Sequence, residues 1–280
     1  MSSVAKASGT GRMSSQRLLA FGLRFYVVVF FAYLFLPLLV MGAATFNDSR
    51  FPTVTPWDGT TLRWFGELAA DGGMWQALTN SLIVAVGVLV VAVPIGIATA
   101  LFLNTVSSRA KPFLYALILS PLLTPGVIIG ISTLIFWRQF GVSGGIFLTV
   151  LGQATFIAAY VMLMVTARLQ RFDRTMERAA LDLGASQWQM FRRILLPYLK
   201  PAIYSAAVIA FLQSFENYNT TLFVVGYDTT LTVYIASKVR TGLTPAVNAL
   251  GLILILFTVV LAVAYEVKRR REAAGAVKGV

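Results

Sequence analysis

The sequence predicts an all-α integral membrane protein of six transmembrane helices with both termini cytoplasmic. Three observations carry that expectation. Hydrophobic residues make up 58% of the 280 and charged residues only 12%, against roughly half and roughly a quarter in soluble domains. The few charges are separated by long uncharged stretches. Lys and Arg are, in addition, concentrated on alternate sides of those stretches. The chain has no Cys and no His, which excludes thiol chemistry, a His general base and zinc sites built on those ligands.

A helix crossing ~30 Å of hydrocarbon needs roughly 20 mainly apolar residues. Arg24 and Asp48 enclose 23 uncharged residues, Asp71 and Arg109 enclose 37, and Lys111 and Arg138 enclose 26. Arg138 and Arg168 enclose 29, and Arg240 and Glu266 enclose 25. Lys200 and Glu216 enclose only 15, so the fifth span, AIYSAAVIAFLQSFENYNTTLFVV, carries Glu216 inside it. The spans are expected near 22–46, 77–104, 112–137, 145–168, 201–224 and 245–266. They define a permease-like membrane domain over 22–266, flanked by a flexible polar tail at 1–21 and a second tail at 267–280. The first apolar run is too long for a cleaved signal peptide. Pro37, Pro94, Pro121, Pro125, Pro201 and Pro245 fall within or at the ends of spans and read as packing kinks, which membrane helices tolerate. Small residues in GVLVVAVPIGIATA and GVIIGIS allow close helix approach.

With both termini inside, 18 of the 23 Lys and Arg lie on the cytoplasmic side and 5 outside, a positive-inside distribution. The formal charge of +12 is therefore topological, and no nucleic-acid partner is expected. Trp57, Trp64 and Trp75 in the first outer segment read as interfacial anchors. The tail KRRRE reads as a stop anchor that meets membrane lipid.

The cytoplasmic loop 169–199 is too long and too apolar for an unstructured connection. It reads as two short helices, TMERAALDL and QWQMFRRILL. Gly184 is suited to a left-handed position after the first, and Ser186 to the N-cap of the second. Such a pair is either a protein-docking surface or a hairpin on lipid headgroups. The spacing decides between them. AALDLGASQWQMFRRILLP resembles the motif E-A-A-x3-G-x9-I-x-L-P of binding-protein-dependent ABC importer permeases. Ala179, Ala180, Gly184, Ile194, Leu196 and Pro197 match. Arg178 occupies the place of the motif's acid, with Glu177 one residue earlier.

The resemblance implies a type I permease subunit of a bacterial cytoplasmic (inner) membrane, with 169–199 as the coupling loop to an ATPase. Its partners would be a dimer of ABC ATPase subunits, a second permease subunit and an extracytoplasmic solute-binding protein. The chain would not be an enzyme and would hold no cofactor, since ATP and Mg would be bound by the partner ATPase. It carries no G-x-x-x-x-G-K-[ST] phosphate loop. FNDSR, TLRWFGELAADGGMWQALTNSLIVA, LGASQWQMFRRILLPYLKPAI and TGLTPAVNALGLI resemble the spermidine/putrescine permease subgroup, specifically its shorter, second permease type.

Glu216 bears on the solute. A carboxylate at hydrocarbon depth is expected to face the bundle interior or a water-filled path. It would favour a cationic amine there, assisted by Asn217, Tyr218 and Asn219 through hydrogen bonds and a ring face. Relatives in the polyamine subgroup often carry a second acid where Asn217 stands. The alternative is that Glu216 pairs with Lys238 or Arg240. Two further functional classes remain in view: a permease for a different small solute, and an ion-coupled secondary carrier. The carrier class usually shows internal repeats, and none is evident. A membrane enzyme is disfavoured, as no acid–base pair or metal cluster falls within the spans.

Overall fold

The computed structural model describes residues 9–107, 109–242 and 244–278. Its elements are all helical among these residues, with one isolated bridge between Asn47 and Thr60. The first six helices are α1 (Gly9–Ala44), α2 (Arg63–Ala70), α3 (Gly72–Thr105), α4 (Lys111–Leu123), α5 (Gly126–Arg138) and α6 (Ile146–Leu169). They are followed by α7 (Arg174–Asp182), α8 (Gln187–Met190), a π-helical turn (Phe191–Leu195), α9 (Leu196–Phe215), α10 (Thr221–Val224), α11 (Leu231–Thr241) and α12 (Pro245–Lys278). Contacts divide the chain into one unit of Met1–Ala70 with Arg240–Val280, and a second of Asp71–Val239.

In the first unit, α1 is helical from Gly9, inside the stretch expected to be a flexible tail; residues 1–8 lie outside the described residues. Its apolar run, Leu19–Ala44, is long enough to cross a membrane and is exposed on nearly every face. That pattern suits a helix surrounded by lipid. Pro37 does not interrupt it. The loop after α1 is organised by Asn47, which is fully buried. Its Nδ2 donates to the carbonyls of Thr53 and Pro56 (3.0 and 2.9 Å), and its Oδ1 accepts from the Asp58 N–H (2.9 Å). Trp64 is buried, and its indole N–H donates to the Asn47 carbonyl at 2.9 Å. It is thus a core residue of this unit and not the interfacial anchor expected; Trp57 and Trp75 are exposed.

The second unit is built on α3, α6 and α9. Val84, Val88, Ala92, Ile157, Val161, Met162, Leu199 and Ala206 form its centre. Small side chains let the helices approach closely: a Cβ at Gly96 would stand 2.6 Å from that of Val161. Such approach compensates for the missing hydrophobic drive between helices in lipid. Asp71 caps α3, its carboxylate accepting from the Met74 N–H at 3.1 Å. Pro94 is carried within that helix without ending it.

Two expected spans are not single helices. The third is broken between α4 and α5, which meet at 100°. Thr124 precedes Pro125, and the proline ring pushes it into extended conformation (φ −84°, ψ 129°). The fifth helix stops at Phe215, well short of residue 224, and α10 follows after a non-helical stretch. At its other end the chain is helical without interruption from Gln187 to Phe215. Among the described residues, four helices are long and apolar enough to cross a membrane (Leu19–Ala44, Gly72–Thr105, Ile146–Leu169 and Gln187–Phe215), with α4–α5 a fifth if the bent pair is one crossing. α12 carries a shorter apolar run, Pro245–Val260.

Candidate functional site: a helix–turn–helix and a broken span

The segment between α6 and α9 turns by local chemistry. The Asp173 carboxylate caps α7 by accepting from the Thr175 N–H at 2.8 Å, and that bond holds its pKa below the ordinary 3.8. At the far end Gly184 has φ +82°, a conformation that costs a residue with Cβ roughly 1–2 kcal/mol. The Gly184 N–H donates to the Leu181 carbonyl (2.9 Å) and the Ala185 N–H to the Ala180 carbonyl (3.0 Å). This double bond pattern closes the helix end. Ser186 and Gln189 then form a reciprocal capping box that opens the next helix. Both ends of the turn therefore follow the sequence expectation. The second short helix does not stand alone, however. It continues through the π-helical turn at Phe191–Leu195 into α9, with Pro197 the second residue of α9, directly after that turn.

Long-range contacts fix the loop's base. The Arg168 guanidinium lies 4.1 Å over the Tyr198 ring, and its Nε donates to the Tyr198 carbonyl at 3.3 Å. Arg174 reaches the carbonyl and side chain of Asn104 at the end of α3. On the outside, Met176, Leu183 and Trp188 are exposed, Leu183 at 88%. Arg178, Ala179, Gly184 and Pro197 are exposed too, whereas Glu177, Ala180, Ile194 and Leu196 are half-buried. The residue in the place of the motif's acid thus faces outward, and the neighbouring acid is partly covered.

The second constellation surrounds the end of α9. Glu216 is the C-cap of that helix and is exposed, so it does not lie within a continuous span as expected. The helix ends because the Asn217 side chain competes for the backbone. Its Oδ1 accepts from the N–H groups of Thr220 (3.2 Å) and Thr221 (3.3 Å) and from the Thr221 hydroxyl (3.1 Å). The Thr221 hydroxyl in turn accepts from Gln153 Nε2 at 2.8 Å, and Gln153 Oε1 accepts from Ser214 at 2.5 Å. Gln153 is 1% exposed, so this chain of bonds satisfies an amide that would otherwise be costly to bury. Thr220 packs against α5 where two glycines leave room: a Cβ on Gly130 would meet the Thr220 carbonyl oxygen at 2.6 Å.

A pocket of about 200 Å³ lies between the two helix breaks. Thr124 and Gly126 line it from one break and Asn217, Asn219 and Thr220 from the other, with Phe156, Tyr160 and Gln213 on the walls. Glu216 and Tyr218 are not among its lining residues. Gln153, Ser214, Thr221, Tyr160 and Gln213 escaped sequence reasoning, because a ruler made of charges does not register uncharged polar groups. A polar residue flanked by apolar neighbours, as in VLGQATF, was the available signal.

Lys238, a possible partner of Glu216, is engaged elsewhere. Its ammonium lies 3.5 Å from Asp71, whose carboxylate also accepts from the Tyr234 hydroxyl. That phenol bond, more than the lysine, holds the Asp71 pKa below its ordinary value. Burial raises that of Tyr234, and the bond to Tyr234 raises that of Lys238.

The described residues form an all-helical membrane-type fold with an exposed helix–turn–helix, and comparison with known proteins gives the family. Residues 92–272 match the model of the binding-protein-dependent transport system inner membrane component, and the chain belongs to that family. It is 33% identical over 252 residues to the spermidine/putrescine transport system permease protein PotC of Escherichia coli, covering 89% of this chain and 94% of that one. It is 34% identical to the putrescine transport system permease protein PotI of the same organism, over 80% and 82% of the two chains. Its fold matches a chain of the bacterial ABC transporter that imports the acidic polysaccharide alginate, with a TM-score of 0.69 at 14% identity over 95% of this chain and 99% of that chain. A second alginate transporter structure, in complex with a pentasaccharide-bound periplasmic protein, matches with a TM-score of 0.66 at 19% identity, over 91% and 93% of the two chains. The chain is accordingly a multi-pass membrane permease subunit of a binding-protein-dependent ABC importer. It is not an enzyme, as ATP hydrolysis in such systems belongs to separate subunits.

Proposed function

We propose that this chain is one of two permease subunits in the bacterial inner membrane that import a polyamine-like or other cationic amine solute. An extracytoplasmic binding protein delivers the solute and a dimer of ATPase subunits, which bind ATP and Mg, drives it. The observation that carries this reading is the motif ending at Pro197, laid over an exposed turn whose Gly184 has φ +82°. Met176, Leu183 and Trp188, each exposed, give the same segment apolar side chains suited to a groove on another protein. In this reading Glu177, Arg178, Ala179, Ala180, Gly184, Ile194, Leu196 and Pro197 couple the permease to the ATPase. The chain crosses the membrane six times, with α4–α5 as one bent crossing, α12 as the last and both termini inside. ATPase closure is transmitted through the continuous Gln187–Phe215 helix to the break at Glu216, shifting the population between inward-open and outward-open packings.

Glu216, Asn217, Tyr218 and Asn219 lie on the solute path in this reading. Their support is the break itself, since non-helical backbone at membrane depth is tolerated where it lines a cavity. The amine class rests on the 33% identity to a spermidine/putrescine permease and on Glu216. Co-purification of the chain from its native membrane tests the assembly. An ATPase, a second permease and a binding protein are expected; recovery of the chain alone, with ion-driven uptake in liposomes, would instead establish a secondary carrier.

A further inference from the structure

Both ends of α3 are held by side chains from elsewhere in the same unit. A helix leaves its last carbonyls without partners and carries partial negative charge there. At that end the guanidinium of Arg174, the first residue of α7, donates to the Asn104 carbonyl (3.3 Å) and to the Asn104 side-chain oxygen (3.1 Å). At the opposite end the N-cap, Asp71, accepts from the Tyr234 hydroxyl and pairs with Lys238 of α11 at 3.5 Å. Further along α3, buried Asn80 donates to the Thr229 carbonyl (3.0 Å), and the Ser81 hydroxyl, also buried, accepts from the Leu231 N–H (2.8 Å). α11 in turn reaches the broken span, where the Thr232 hydroxyl donates to the Asn217 carbonyl at 3.0 Å. Between its ends α3 runs for 34 residues without interruption, about 50 Å. It is seated against α6 so closely that a Cβ on Gly87 would stand 2.8 Å from Val150, and close-packed interiors transmit displacement instead of absorbing it.

We infer that α3 is a transmission rod that carries movement of the coupling loop to the break at Asn217, with Arg174 and Thr232 as positioning residues at the two ends of the series. This rests on the ATPase-coupled reading above. In that reading α9 drives the break from its helical side; the rod reaches the same break from the side of α11. A joint driven from one flank alone can pivot, whereas one held on both flanks has a defined displacement. The junction of α3 with α11 is made redundantly, through Asp71, Asn80 and Ser81. Arg174 and Thr232 stand outside that junction, so the series is best cut at those two residues.

The chain has no Cys, so Asn219→Cys, at an exposed position in the break, gives a single thiol on this chain for a charged maleimide. Its labelling rate is measured on the complex of this chain with its companion permease and ATPase, without nucleotide and after trapping with ADP and vanadate. The readout is the change in rate on trapping, which needs no solute. Into this background go Arg174→Gln, which removes the guanidinium, and Thr232→Val, which removes a hydroxyl at nearly constant shape. Each is expected to shrink the nucleotide response about fivefold, the scale of one hydrogen bond. The two together are expected to do no more than one alone, since a series opened once is open; independent effects at distant sites would add. Arg174→Lys keeps a donor at the end of α3 and is expected to restore most of the response, which a misfolded loop would not show. A response unchanged in both variants, effects that add, or a loss that Arg174→Lys does not restore would overturn the rod while leaving ATPase coupling through α9. No response to nucleotide in Asn219→Cys alone would overturn the rod and the ATPase-coupled reading together.

Discussion

The turn at Gly184 and the break at Glu216 both end a helix and start another within a few residues, yet they are held in opposite ways. At Gly184 the N–H groups of Leu183, Gly184, Ala185 and Ser186 are all answered within the segment, by the closing bonds of α7 and the capping box of α8. A Cβ there would meet nothing within 4 Å, so the cost of a side chain is conformational only. At Glu216 the local device, Asn217, accounts for part of the geometry. The rest comes from Gln153, more than sixty residues away in sequence, and from glycines on α5. One is a joint shaped by its own residues; the other is a joint set by its surroundings.

The largest effect is expected where the break depends on space. Gly130→Val would drive a side chain into the Thr220 backbone, 2.6 Å from its oxygen, and backbone cannot rotate away as a side chain can. A loss of roughly 1–3 kcal/mol or more should lower the thermal midpoint of the purified complex and abolish uptake. An unchanged midpoint would mean that α5 does not press on the 217–221 segment. Gln153→Leu should follow, at about 1–3 kcal/mol, since the Ser214 hydroxyl loses its acceptor and the Thr221 hydroxyl one of its two partners in a buried site. Ser214→Ala, which leaves Gln153 its other bond, should cost less by the same melting measurement.

Gly184→Val should behave differently in kind. Strain of roughly 1–2 kcal/mol is confined to an exposed turn, so assembly and basal ATP hydrolysis persist while uptake per ATP falls. Wild-type coupling in that variant would break the contrast between the two joints. Smaller still is the effect of Asp71→Asn, and it carries a pH signature. The Asp71 pKa is depressed in the folded state, so its contribution is complete above the unfolded value of 3.8 and fades as pH falls through the lower folded value. Melting curves of wild type and Asp71→Asn should therefore differ by a constant amount near neutrality and converge only in acid. Glu216→Gln should leave the midpoint unmoved, as the residue is exposed, and should lower cation uptake alone. Unaltered uptake and selectivity would take Glu216 off the solute path.

The two joints also divide what could be read in advance. Gly184 and Ser186 announced themselves because left-handed backbone and N-caps draw on few residue types, and both rules are local. The α4–α5 break was half-legible: Pro125 was visible, but a proline inside a membrane helix bends, breaks or does nothing according to its neighbours. Pro37 and Pro94 stay within helices, and Pro125 lies within a 100° bend. Trp64 was misread because aromatic residues near a span suggest an interface, whereas a hydrogen bond to the Asn47 carbonyl buries this one.

By itself the sequence determined that the chain is helical, that it lives in a membrane and that the loop at 169–199 folds as two short helices about a glycine turn. Hydrophobic length, charge distribution and capping chemistry act within one helix and its ends, so they need no knowledge of the fold. Only the tertiary structure decided where the fifth helix stops and that Glu216 caps it instead of lying within it. Those outcomes depend on a buried glutamine and two glycines brought together from distant helices. Their energies exist only once packing has excluded the water that would otherwise satisfy the same groups.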